Sequence, residues 1–195
     1  NNHDWYTPYK SVTFYHCDNG VWSEDSQFDA AARAVALNGN WAIADRTSDC
    51  VEVYSRQNDV WYRFVMLTEP NGLYSDVGSH IALSENWAAV SAENVAVMLF
   101  HRDMYTWKLR QTLTPGGQIK DICLDGSMLY VSLRQDNDLY SLHAYDCDSG
   151  VWFLPDVWLH DAGDSGWHSD KLSISFSGAW GIASLPADNT YYFYN

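Results

Sequence analysis

The chain has 195 residues, 47% of them hydrophobic and 15% aromatic, which supplies one sizeable core and excludes a chain disordered for want of apolar surface. Its formal charge of −14, from 25 acidic against 11 basic residues, disfavours binding to nucleic-acid phosphates or to an anionic membrane surface. No run reaches the roughly 18 apolar residues of a membrane helix, so direct membrane insertion is not expected.

The first residues, Asn1, Asn2 and His3, include no Met and no basic region followed by an apolar one. They read as the start of a chain trimmed upstream, or of a piece of a longer protein. Trp5, Tyr6 and Tyr9 around Pro8 read as a lead-in or as a contact segment. Residues 12–17 then form an apolar strand. A turn at Asp18-Asn19-Gly20 follows, and Val21-Trp22 opens a second strand. The alanine-rich stretch 30–35 would favour a helix in isolation. It is read as the approach to a strand, with a helical turn as the alternative.

From there a repeat dominates. Ala36-Leu37-Asn38-Gly39-Asn40-Trp41-Ala42-Ile43-Ala44 returns as Ala82-Leu83-Ser84-Glu85-Asn86-Trp87-Ala88-Ala89-Val90. A looser copy starts at Cys123 and a fourth surrounds Ser177-Gly178-Ala179-Trp180. Each is strand, polar turn, strand, because Gly and Asn tolerate the positive φ of tight hairpins. A second hairpin follows the first three copies and carries Trp61, Trp107 or Trp152 just after its turn. Four short strands recurring every roughly 41–52 residues define the blade of a β-propeller. The fold expected is therefore all-β: four-stranded antiparallel blades, about four of them, possibly within a larger propeller. The units are 33–76, 79–118, 120–167 and 171–195 in one domain spanning 1–195, with N-terminal strands over 12–28.

These units resemble the FG-GAP repeats of integrin α-subunit propellers and related surface proteins. The likeness rests on residues 36–44 and 82–90, on the hairpins ending in Trp61 and Trp107, and on the linkers 67–72 and 113–117. The family's Phe-Gly pair is reduced to Phe28-Asp29 and Val77-Gly78. Its Gly-Ala-Pro element is replaced by Ala44-Asp45-Arg46 and Ser91-Ala92-Glu93. The loops where many members bind calcium lack the alternating Asp/Asn ligands that a hard cation needs. Asp136-Asn137-Asp138 comes nearest and reads as an ordinary turn. No metal and no cofactor is expected.

The ends can be arranged in three ways. The N-terminal outer strand completes the last blade and closes a four-bladed ring, leaving one terminal strand over. The chain is a segment of a larger propeller. Or two chains exchange terminal strands and form a homo-oligomer.

The four cysteines show no CxxC spacing. Cys17 and Cys147 share a setting, Tyr-His-Cys-Asp-Asn-Gly against Tyr-Asp-Cys-Asp-Ser-Gly, and are the candidate disulfide, with free thiols as the alternative. The recurrent Trp22, Trp41, Trp61, Trp87, Trp107, Trp152 and Trp180 are assigned to packing between blades.

An insert in the third unit carries Trp158, His160, Asp161, Asp164, Trp167 and His168. Aromatic faces and carboxylates on a loop suit a sugar or a protein partner. No nucleophile elbow and no phosphate loop is present. The function expected is a non-enzymatic protein-interaction or structural module of an extracellular or surface assembly. Carbohydrate binding is one alternative. The other is a hydrolase, which would need a carboxylate pair that the sequence does not single out.

Overall fold

The computed structural model describes residues 11–30, 32–46, 49–135, 140–160, 173–185 and 190–194. They form seventeen strands in five antiparallel sheets. Sheet 1 is β1 (Ser11–Asp18) with β2 (Val21–Asp29). Sheet 2 runs in order β3 (Val35–Asn38), β4 (Trp41–Arg46), β5 (Cys50–Gln57), β6 (Val60–Thr68). Sheet 3 holds β7 (Val77–Ser84), β8 (Trp87–Ala92), β9 (Ala96–Asp103) and β10 (Thr106–Leu113). Sheet 4 holds β11 (Gln118–Asp125), β12 (Met128–Arg134), β13 (Tyr140–Asp148) and β14 (Val151–His160). Sheet 5 has three strands, β15 (Ser173–Ser177), β16 (Trp180–Leu185) and β17 (Thr190–Tyr194). The expectation of an all-β, propeller-like array of four-stranded blades holds.

Local chemistry explains the regularity. Within a four-stranded sheet the strands are called A to D in chain order; by repeat position β1 and β2 match C and D, and β15–β17 match A to C. The turn between A and B places Gly39, Gly126 and Gly178 at φ near +57°, the first central position of a two-residue hairpin. The turn between C and D uses Asn19-Gly20, Asn58-Asp59 and Ser149-Gly150, both residues at positive φ. Strand C lies inside the sheet and is covered on both faces, so β5 and β9 read as nearly continuous buried runs. Strand D is the outer edge, and in β10 exposed and half-buried residues alternate. Every C–D pair carries a register shift at the same place, at Phe14/Tyr15, Val53/Tyr54, Leu109/Gln111 and Ala144/Asp146. A bulge there strengthens the twist of the outer strand. Val35 begins β3 directly, with no helix before it among the described residues.

The core lies between sheets. One cluster joins Ile43, Val51 and Val53 of sheet 2 to Leu83, Val90 and Met98 of sheet 3. Another joins Val97 and Leu99 of sheet 3 to Ile122, Leu129 and Trp152 of sheet 4. Val12 and Phe14 of sheet 1 pack on Tyr54 and Trp61 of sheet 2. Ile174 and Phe176 of sheet 5 pack on Tyr130 and Leu142 of sheet 4. Successive sheets thus shield one another's apolar faces. No cluster among the described residues joins sheet 5 to sheet 1.

Several polar groups at these interfaces are paired, while the Trp107 and Trp152 indole nitrogens are buried without a hydrogen-bond partner. Asp45, fully buried, accepts hydrogen bonds from the Arg33 and Ala34 amides and from the Arg33 side chain, and Arg33 also reaches Asp76 at 2.9 Å. The Asp121 carboxylate accepts from the Ile174 amide of sheet 5 at 2.9 Å, and burial holds its pKa above the usual carboxylate range. Gln111 donates to the Trp152 carbonyl and accepts from the Trp152 amide, both at 2.9 Å.

Two expectations are corrected. All four cysteines are free, so the Cys17–Cys147 disulfide does not form. The two occupy equivalent positions of β1 and β13, with two complete sheets between theirs. The N-terminal outer strand also does not complete the last blade. β2 pairs with β1, and β15–β17 stand as a separate three-stranded sheet.

Candidate interaction surface

The repeat gives each face of a sheet a direction. In strand A, Ile81 and Leu83 of β7 face sheet 2, while Ala82 faces sheet 4. The same parity turns Val35 and Leu37 of β3 toward sheet 1. Sheet 1 has only strands C and D among the described residues, so nothing covers them there. Leu37 is 64% exposed, against 7% for Leu83 and 9% for Leu124 at the same position. A groove of about 490 Å³ runs here, lined by Val12, Phe14, Val35, Leu37, Tyr54 and Trp61. One wall is the edge of β1 that bears no strand among the described residues, a row of backbone donors and acceptors.

The tryptophans follow a second rule. Trp41 opens strand B of sheet 2 and meets Trp107, in strand D of sheet 3, edge-on at 5.9 Å and 73°. Trp87 of sheet 3 meets Trp152 of sheet 4 in the same way, at 5.3 Å and 87°. Edge-to-face pairs of this kind exploit the ring quadrupole. The Arg102 guanidinium lies 4.6 Å over Trp41 and is anchored by the Asn86 side chain at 2.7 Å. The assignment of recurrent tryptophans to packing between blades holds for these four. It holds as well for Trp61, which stacks on Phe14 of sheet 1 at 4.1 Å. Trp22 and Trp180 depart from the expectation: they are 70% and 62% exposed.

A separate polar recess of about 410 Å³ lies between sheets 3 and 4, lined by Trp87, His101, Arg110, Ser149 and Gly150. Asp103 faces His101 Nδ1 at 2.9 Å and Arg110 at 2.6 Å. Desolvation opposes its charge, but the His101 hydrogen bond and the Arg110 charge outweigh that and hold the carboxyl below its usual range. Ser149 donates to Asp148, at 3.1 Å, so its hydroxyl is engaged beside the turn. Among the described residues no three His, Cys, Asp or Glu groups gather to hold a metal ion.

Of the residues singled out in the sequence as a ligand loop, the structure describes only the backbones of two. Asp161, Asp164, Trp167 and His168 lie outside the described residues. Trp158 and His160 lie on β14, their backbones paired with Leu142 and Tyr140. The sequence reading missed Tyr15, Val35, Leu37 and Ile182. Aligning the repeats by face would have found them, because their counterparts in other units are core residues.

No family model matches the chain, and no curated protein does. Its fold is similar to solved structures. The computationally designed Ika4 protein is 13% identical, with a TM-score of 0.59 over 86% of this chain and 92% of that one. A protein from Lactobacillus plantarum is 18% identical, with a TM-score of 0.59 over 76% of this chain and 49% of that one. Kluyveromyces lactis Hsv2 is 13% identical, with a TM-score of 0.58 over 88% and 52%. The chain thus spans about half the length of the latter two. At these identities the likeness shows the fold alone.

Proposed function

We propose that this chain is a non-enzymatic protein-interaction module that binds an extended apolar strand or hairpin in the groove beside β1. The single observation that carries this reading is the exposure of Leu37, a position buried in both other complete sheets. An unpaired strand edge next to apolar pockets suits recognition by strand addition. Backbone hydrogen bonds then supply affinity, and alternate side chains supply specificity. The groove offers both: the open edge of β1, and Val35 and Leu37 on its floor.

The FG-GAP likeness belongs to this proposal, as does an extracellular or surface setting. What supports the likeness is Gly78, which stands where the family's glycine falls and packs against Asp45 of the preceding sheet. Protease shaving of intact cells carrying the tagged protein tests the setting; resistance to the protease argues against it.

A synthetic peptide copying residues 77–92, the A–B hairpin of sheet 3, is the probe for the groove. Titrated into the isotope-labelled protein, it shifts the amide resonances of β1 and β3 saturably. Leu37→Asp weakens that binding at least tenfold without altering the spectrum elsewhere. Absence of shifts at β1 and β3, or equal binding by the variant, refutes the reading.

A further inference from the structure

The two outer faces of the array are halves of one repeated interface. Toward the preceding sheet, strands C and D present an aromatic and a tryptophan. These are Tyr54 and Trp61 in sheet 2, Phe100 and Trp107 in sheet 3, and Tyr145 and Trp152 in sheet 4. Tyr54, Phe100, Tyr145, Trp61 and Trp152 are buried, and Trp107 is packed against the core. Sheet 1 presents the same pair, Tyr15 and Trp22, and both are exposed, at 59% and 70%.

Toward the following sheet, strand B presents its first and third residues, Trp41 with Ile43 and Trp87 with Ala89. Ile43 and Ala89 are buried, while the two rings pack half-buried against the next sheet. Sheet 5 presents Trp180 and Ile182, and both are exposed. Within the chain, the strand-B tryptophan of one sheet meets the strand-D tryptophan of the next, as Trp41 meets Trp107 and Trp87 meets Trp152. The unused strand-B tryptophan is Trp180, and the exposed strand-D tryptophan is Trp22.

We infer that a second copy of this chain covers these faces: sheet 5 of one copy packs on sheet 1 of the next, with Trp180 edge-on to Trp22. The partner follows from continuity with the interface that the chain already builds between its own sheets. The contact joins different surfaces of the two copies, so it is head-to-tail, and the rotation per copy decides whether it closes into a ring or stays open. A charge of −14 on every copy opposes the approach, and salt relieves that repulsion. This deepens the interaction reading by naming a partner for the outer faces.

The test uses the full chain in sedimentation velocity over a concentration series in 0.5 M salt (about 3–5 Å of screening length). The wild type sediments as species heavier than the 22.2 kDa monomer, growing with protein concentration and falling at low salt. Trp22→Ala and Trp180→Ala, both at exposed positions, keep the wild-type circular dichroism, and each alone remains monomeric. Mixed in equal amounts, the two variants form a dimer, because each retains the half that the other lacks. A monomer at all concentrations overturns the inference, whether Trp22 stays solvent-accessible or closes onto Trp180 within one chain. A dimer that persists in either single variant, or a mixture that stays monomeric, overturns it as well. Peptide binding at the groove is read separately in the Trp22→Ala variant, so failure of this contact and failure of the strand-binding reading are told apart.

Discussion

Phe14 of β1 lies flat on Trp61 of β6, with ring centroids 4.1 Å apart and planes 18° from parallel. Phe28 and Tyr54 complete the cluster, meeting Phe14 edge-on at 6.0 and 5.5 Å. This aromatic group fastens sheet 1 to sheet 2. Phe14→Ala removes its centre and should cost about 3–5 kcal/mol, read as a lower urea midpoint. The amides of β1 and β2 should lose hydrogen-exchange protection before those of sheet 3. Uniform loss across all sheets would show that sheet 1 is not held by this cluster.

Gly78 should tolerate no side chain. Its φ is +99°, and an added Cβ would sit 2.8 Å from Asp45 Cβ and from Val51 Cγ2. Neither neighbour is the free end of a flexible side chain. Gly78→Ala is expected to destabilise by about 2 kcal/mol or more, joining overpacking to a disfavoured backbone angle. A thermal midpoint within a degree of the wild type would contradict the close approach of sheets 2 and 3.

Asp45 ties the entry to β3 to the inner strand β4 of sheet 2. Its hydrogen bonds to Asp45 and then to Asp76 raise the Arg33 pKa further above the ordinary guanidinium value. Asp45→Asn keeps the shape and removes the charge. It should lower stability by about 1–3 kcal/mol, the cost of weakened hydrogen bonds at a buried acceptor. Arg33→Ala should cost less, because half of that side chain is exposed. Denaturant titration of the two variants side by side gives the order.

His143 predicts the direction of a pH effect. It is buried in β13, and desolvation pushes its pKa below the ordinary histidine value. The unfolded chain therefore takes up a proton near pH 6.5, while the folded protein resists it. The stability due to neutral His143 is complete above that pH and is lost as pH falls through and below it. The urea midpoint should drop between pH 7.5 and 5.5, and His143→Phe should shrink that drop. An unchanged pH slope in the variant would assign the effect to other groups.

The cysteines give a covalent check. Without reductant, all four thiols should react with a thiol reagent in denaturant. In the folded protein Cys17 should react first, since it is exposed and the other three are half-buried. Burial raises the pKa of Cys50, Cys123 and Cys147, slowing them further.

Much of the architecture was legible because hairpin chemistry is local. Gly39, Gly126 and Gly178 mark the first hairpin of a unit, and the tryptophans that open strand D mark the second. Where the terminal strands belong was not legible. Strand pairing at the ends is decided by which edge is nearest in space, and β1 reads as a strand C whether or not a strand B lies beside it. The cysteine settings misled for a related reason. Two residues with the same neighbours in a repeat occupy the same place in different sheets, which keeps them apart. The candidate site was sought in the composition of an insert, around Trp158 and His160. The exposed Leu37 and Trp180 sit in the most regular parts of the repeat and differ from their counterparts only in lacking a neighbour.

The pairing of β1 with β2 alone has a consequence for how the molecule comes apart. A ribbon of two strands is barely stable by itself in water, and this one gains its persistence from rings laid against β5 and β6. It is therefore expected to act as a latch, lifting away as a unit before the three complete sheets unfold. Any partner that wedges under Phe14 would open it from that side.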